Sequence, residues 1–431
     1  MPSSESELMR KVVYPAVLAG LFMVQAAQAQ SLQDTIANAL AQAPAIAEAD
    51  ASAAAASARL DRAQAESNPL LRVDASAGVG RIDHGGFFGM NNGNTNPLAV
   101  QATAEMPLYA GGRISAAIAQ SRQGAELAKF GAEQARLDTV VQAVSIHSDV
   151  LTMRKLEQSY ARLAANLGEM ERQAMLRFNV GEISSADLAQ VRARKAEAQS
   201  GLAQAQGRRI SVEAAFERLT GQTPGALEPL AALPPVPPSL GEALDLARQN
   251  NPALHQAKAQ VKMAEAGVRR AKAEGLPSVG AFAEGSYVRD QFFLGYKADA
   301  VTVGVRGRWN LWSGGRVSSQ TRAANADLSA AESRQRRAEQ ALDGMVIDTW
   351  HDLNSATQAA QASELRHSAA REALRGIKLE AQVGAKPTLA VLDAEREAIA
   401  AEADLLAAEA MRAKAAWRLG ALTGTLPPQA E

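Results

Sequence analysis

Leu108-Tyr-Ala-Gly-Gly-Arg-Ile114 returns 203 residues later as Leu311-Trp-Ser-Gly-Gly-Arg-Val317. Each motif closes a segment of alternating apolar and polar residues and opens a very long helical one, so it reads as a hinge from strand to helix. Gly111, Gly112, Gly314 and Gly315 relieve the turn between the two periods. Two hinges at one offset restrict the chain to folds made of two like halves.

Downstream of each hinge the residues from Arg113 to Phe178 and from Val317 to Ala381 contain no proline. One helix of that length reaches on the order of 100 Å. Leu137, Val141, Val144 and Leu151, then Leu163, Leu167, Met170 and Ala174, recur at spacings of three, four and seven, which predicts a coiled-coil seam. Both helices stop at glycine turns, Asn179-Val-Gly-Glu-Ile-Ser-Ser-Ala-Asp-Leu188 and Gln382-Val-Gly-Ala-Lys-Pro-Thr-Leu-Ala-Val391, with Gly181 and Gly384 again 203 residues apart. Ser184 and Asp187 have capping-box spacing and Pro387 suits the first turn of a new helix, so each turn sends a second helix back antiparallel. The returning helices close at Leu219-Thr-Gly221 and Leu422-Thr-Gly424, still at 203.

Upstream of the hinges the period is two. Leu71, Val73, Ala75, Ala77 and Val79, then Leu98, Val100, Ala102, Ala104 and Met106, alternate with polar residues. Val279, Ala281, Ala283 and Tyr287, then Val301, Val303, Val305 and Trp309, do so in the second half. Each run is about as long as a strand that spans a membrane. A half-buried sheet in a soluble domain has the same alternation. Aromatic residues are only 4% of the chain and much of its 47% apolar content is alanine, which leaves little to build a core beneath such a sheet. Four strands cannot close a barrel of eight or more, so a membrane reading requires several chains to pool their hairpins.

Arg10 and Lys11, an apolar run from Val12 to Val24 and Ala27-Gln28-Ala29 have the layout of a cleavable secretory signal, 1–29. A membrane anchor is the alternative, but the run falls short of the roughly 20 residues a spanning helix needs. With no cysteine the exported protein has neither disulfides nor a lipidated N-terminus. The plan is then repeat 1 over 30–224, with strands about 70–82 and 97–109 and a helical hairpin about 112–220. A Pro-rich linker follows over 225–238, and repeat 2 over 239–431, with strands about 278–289 and 298–311 and a helical hairpin about 315–423.

Little in the chain points to chemistry. A net charge of −1 rules out capture of nucleic acid by charge alone. His84, His147, His255, His351 and His367 lack the spacing of a metal site, and no cofactor motif is present. The Gly-Gly-Arg hinges have no Walker-type Lys-Ser/Thr or dinucleotide fingerprint, and no nucleophile elbow or His-Glu-x-x-His occurs. The reading is not an enzyme.

The signal, the doubled strand-plus-helix plan, and the Val-Gly turns followed by Ser-Ser-Ala-Asp-Leu-Ala and Leu-Ala-Val-Leu-Asp-Ala together resemble the TolC family of outer-membrane efflux and secretion channels. The resemblance runs from Ser31 to about Pro428. It implies a mainly α fold with a β-barrel part: two repeats, each a transmembrane β-hairpin plus a long antiparallel coiled-coil hairpin, assembled as a trimeric α/β-barrel duct. It also implies an outer membrane of Gram-negative type, with the helices extending into the periplasm. The partners it implies are the other copies of a homotrimer, outer-membrane lipid, a periplasmic adaptor (membrane fusion) protein and an inner-membrane pump of the RND, ABC or MFS type. The adaptor would dock on the tips around Val180, Gly181, Ser184, Val383 and Gly384.

By position, Asp187 and Asp393 match acidic tip residues of the family, and Lys386 stands at its gating arginine. The gating tyrosine and the other ring acid are replaced by Ala381 and Ala390, so the gate is expected to be less densely bonded, with Lys386 as a point charge. Asp187 has an equally good structural explanation as the capping partner of Ser184, and the helix dipole favours Asp393 near its helix start by about 0.3–1 kcal/mol. Tyr109, Trp309 and Trp312 suit a membrane interface, where Arg113 and Arg316 are expected to meet headgroups or nearby carbonyls. A periplasmic coiled-coil scaffold or tether with no transport activity is the alternative to the duct.

Overall fold

The computed structural model describes residues 29–83, 85, 92–230 and 233–426; the signal segment up to residue 28, His84 and part of the first Gly/Asn loop lie outside the described residues. Each half runs short helix, medium helix, strands, long helix, return helix. In the first half these are α1 (Leu32–Gln42), α2 (Pro44–Ala65), β1 (Leu70–Ala77), β2 (Gly80–Ile82), β3 (Gly93–Thr95), β4 (Leu98–Tyr109), α3 (Arg113–Asn179) and α4 (Ser185–Thr220). In the second they are α5 (Leu240–Asn250), α6 (Pro252–Ala273), β5 (Ser278–Arg289), β6 (Lys297–Arg308), α7 (Arg316–Gln382) and α8 (Thr388–Thr423). The long helices have 67 residues each and the return helices 36 each. This is the mainly α architecture with a small β part expected from the sequence.

The two hairpins join in one antiparallel sheet of order β1-β4-β5-β6. The strand expected over 70–82 is interrupted after Ala77, and β2 pairs separately with β3. Pro97 is the physical reason. It has no N–H to continue the ladder, and Gly78 N–H donates to the Pro97 carbonyl at 2.9 Å instead. The second hairpin has no proline at that point and pairs without a break from Ser278↔Arg308 to Arg289↔Lys297. The fourth strand ends at Arg308, short of 311, so Trp309 lies beyond it.

Alternation gives the sheet two unlike faces. Register places Arg72, Asp74, Gln101, Thr103, Glu105, Phe282, Glu284, Thr302 and Arg306 on one, and Val73, Val100, Ala102, Ala283, Val301, Val303 and Val305 on the other. The polar face is cross-linked: Gln101 donates to Glu284 at 2.6 Å, Arg306 reaches Glu105 at 3.4 Å, and its guanidinium lies over the Phe282 ring. The apolar face is uncovered, with Val303 76% exposed. Among the described residues no core cluster lies beneath it.

The apolar core sits instead between helices, in three clusters. Near the tips Leu167, Ala174, Leu188, Val191, Ala198 and Leu392 bring α3, α4 and α8 together. Midway along α3, Val140, Ala143 and Val144 pack on Ile36 and Ala39 of α1 and on Trp417 of α8. The counterpart in the second half joins Ala243, Ala247, Leu254, Leu342, Val346, Leu353 and Leu419. The single seam expected along α3 is therefore two. In its upper part Val144 is buried as expected and is joined by Val140 and Ala143, with Val141 only half-buried, because α3 exchanges α4 for α1 and α8 as partners.

A belt at mid-height ties the linker down. Arg154 of α3 donates to the Pro224 and Gly225 carbonyls and to Glu213. His147, 0% exposed, bridges Thr35 and the Glu228 carbonyl, each at 2.9 Å. A carbonyl only accepts, so Nε2 carries the proton toward Glu228, while the Thr35 hydroxyl also donates to the Ser31 carbonyl at 3.1 Å. Burial pushes the His147 pKa down, against the raising effect of the Glu228 carbonyl.

Candidate functional site

The tips are built by the same backbone chemistry in both halves. Gly181 and Gly384 adopt φ of 81° and 76°, a left-handed conformation that glycine takes without penalty. Glu182 N–H then donates back to the Arg177 carbonyl and Ala385 N–H to Glu380, each at 2.8 Å, closing the last turn of α3 and α7. Val180 and Val383, each just before its glycine, are 72% and 80% exposed. Two apolar side chains thus stand at the outermost point of the molecule.

The restart of the return helices differs. Ser184 caps α4: its hydroxyl accepts from Asp187 N–H at 3.1 Å, and Asp187 accepts from both the hydroxyl (2.7 Å) and the backbone (3.1 Å) of Ser184. These bonds hold the Asp187 carboxyl below its ordinary pKa. Within one chain Asp187 is thus the capping partner of Ser184. Pro387 is the residue before α8 rather than part of its first turn, and it supplies no side-chain cap.

Asp187 and Lys386 line one groove of about 360 Å³ between the two tips, together with Arg177, Glu182 and Leu392. Asp393 is elsewhere, reaching across to Arg194 of α4 at 3.4 Å. The three candidate gate residues do not converge. Lys386 has no ion pair or hydrogen bond among the described residues.

Sequence reasoning missed a buried pair just above the second tip. Glu395 of α8, 3% exposed, accepts from Lys378 of α7 at 2.7 Å and lies 3.5 Å from the Asn166 amide of α3. Its signal was a carboxylate standing in the apolar stripe Val391, Leu392, Ala398. A lone acid at a core position of a helix requires a partner.

At the other end of the helices, the hinge glycines all have positive φ, between 59° and 85°. A Cβ on Gly111 would stand 2.7 Å from Leu276, whereas Gly314 has open space around it. The arginines do not reach outward as expected. Arg113 pairs with Glu66 at 3.3 Å and Arg316 with Glu274 at 2.8 Å, in each case the residue that ends the preceding medium helix, so each clamps two helices at the hinge. Tyr109 shares the apolar face with its partner Val279. Trp309 donates to the Gly275 carbonyl at 3.2 Å, and Trp312 is almost fully exposed.

The family model for outer membrane efflux proteins matches residues 35–222 and 243–425, one segment in each half. The chain belongs to the outer membrane efflux protein family. The efflux protein BepC of Brucella suis is 28% identical over 274 residues, 63% of this chain and 60% of that protein, so the match spans less than two thirds of its curated relative. The outer-membrane channel CmeC of Campylobacter jejuni has a similar fold, with a TM-score of 0.81, 14% identity and coverage of 93% and 87% of the two chains. The open-state channel MtrE of Neisseria gonorrhoeae is likewise similar, at a TM-score of 0.75, 18% identity and coverage of 91% and 88%. Among the described residues no helix is long and apolar enough to cross a membrane.

Proposed function

We propose that three copies of this chain close one barrel of twelve strands and one helical tunnel, which together form the exit duct of a tripartite efflux or type I secretion system. The observation that carries this reading is the sheet. It has two unpaired edges, β1 and β6, a polar face and an uncovered valine face, and closing on like sheets removes both edges while turning the valines to lipid. The tips then point into the periplasm, where exposed Val180 and Val383 offer an apolar footing to an adaptor protein, which links the duct to an inner-membrane pump. Substrate choice belongs to that pump.

The test is reconstitution of the mature protein in planar bilayers with parallel cross-linking. Trimers that conduct are expected. A protein that stays monomeric and soluble without detergent, with no conductance, would instead be the periplasmic tether. Photo-cross-linking from positions 180 and 383 in cells should capture an adaptor; capture of none would remove the tips from docking.

A further inference from the structure

The apolar face of the sheet ends, at the far side from the helices, in two cations. Arg289 and Lys297 are the last pair of the β5–β6 ladder and stand directly opposite each other, with Leu98 beside Arg289. The next row toward the helices holds Val100, Tyr287 and Asp299, and the rows after it Val301, Val303 and Val305 with Ala102, Ala104, Ala281 and Ala283. From the cation pair to Val279 is ten residues, about 33 Å along a strand. At the ~45° tilt usual for membrane strands this is a height of about 23 Å, close to the apolar band of an outer-membrane barrel. Tyr287 marks the boundary, and the two cations lie one row outside it.

Like charges directly opposite in a sheet repel, and among the described residues Asp290 alone forms an ion pair with either of them. Arg289 Nε is 3.3 Å from Asp290 Oδ2, and its terminal nitrogens make no hydrogen bond among the described residues. The other Asp290 oxygen accepts from Gly295 N–H at 2.7 Å, so that carboxylate is held by the loop. Asp299 faces Tyr287 one row inward. Lys297 has no ion pair or hydrogen bond among the described residues.

We propose that Arg289 and Lys297 bind the phosphate of a phosphorylated glycolipid in the outer leaflet. Arginine offers a planar fork that grips phosphate through two hydrogen bonds, and lysine adds a point charge beside it. An anion seated between them turns their repulsion into attraction, while its acyl chains lie along the valine rows. Arg81 occupies the matching place in the first half, 208 residues earlier, but its partner there is Asn94, so that hairpin lacks the second cation.

The inference rests on the sheet being a membrane barrel, but the site lies within one chain, so binding can be read in any assembly state. The full mature protein is titrated with bis-phosphorylated lipid A, with the same lipid enzymatically dephosphorylated, and with inorganic phosphate, and bound lipid is counted by native mass spectrometry. The phosphorylated lipid is expected to bind at least tenfold more tightly than the dephosphorylated one. Arg289→Gln/Lys297→Gln should abolish that preference, whereas Arg81→Gln should keep it. Equal binding of the two lipids by the wild-type protein overturns the proposal without any variant, and full displacement by millimolar inorganic phosphate overturns the lipid assignment. Conductance of the double variant is expected to be unchanged. Loss of trimer and conductance in the wild-type protein would count against the duct, not against the lipid site.

Discussion

The two tips share a backbone and differ in what holds it. In the first, Ser184 and Asp187 cap α4, and ion pairs join Arg177 to Glu182 and both Arg192 and Lys195 to Glu171. All of these lie within one hairpin. In the second, α8 has no side-chain cap, and one buried carboxylate, Glu395, takes Lys378 of its own hairpin and approaches Asn166 of the other. Arg194–Asp393 and Arg162–Glu402 add links of the same inter-hairpin kind. The side-chain bonds named for the first tip stay within its own hairpin, whereas the second adds to its internal Arg366 pairs with Glu397 and Asp404 a set of links shared with the first.

The strongest way to break this comparison is Lys378→Met. It leaves Glu395 buried without its cation, and removing one member of a buried pair costs about 3–5 kcal/mol. Because Lys378 is itself 40% exposed, we expect the lower end, about 3 kcal/mol, read as faster hydrogen exchange in the last turns of α7 and first turns of α8. Arg192→Met should change the first tip little. Equal effects at the two tips would erase the distinction.

Next in size is Asp393→Ala, which leaves Arg194 with Glu197 alone. Block of the channel by divalent cations is expected to weaken several-fold; unchanged block takes Asp393 out of the entrance. Ser184→Ala should then cost the first tip about 1 kcal/mol of local stability, with Ser184→Asn retaining most of it and the second tip unaffected. The smallest effect is with pH. Both His147 and Asp187 have pKa values lowered in the fold, so each contributes stability that is complete above its ordinary range and lost as the pH falls through the lowered value. Both belong to the first half; the position 203 residues after His147 is Trp350, which does not titrate. Mild acidification, passing through the histidine range before the carboxylate range, should release α1 and the linker from exchange protection before α5.

Much of this molecule was legible because its repeats are. The hinges, the glycine turns and the helix lengths follow from positions that recur at 203, since glycine at positive φ and the lack of proline leave local marks. Which side chains share a face within each strand followed from alternation, and even the interruption after Ala77 was available in Pro97. What could not be read was which charge meets which. Arg113 finds Glu66, and Asp393 finds Arg194, through the packing of helices far apart in sequence, and a surface arginine carries no mark of its partner. The shift from Val141 to Val140 has the same origin: α3 serves two different neighbours along its length, and a seam drawn for one partner cannot describe both.

The equal spans of α3 and α7, and of α4 and α8, act as a gauge. Losing two residues from α3 alone would raise its tip by about 3 Å and rotate everything below by some 200°, so that Val180 and Gly181 would face a different way from Val383 and Gly384. Trimming one heptad from all four helices, in contrast, would shorten the molecule by about 10 Å and nearly preserve every facing. Length in this chain can be altered only in matched increments, like the legs of a table.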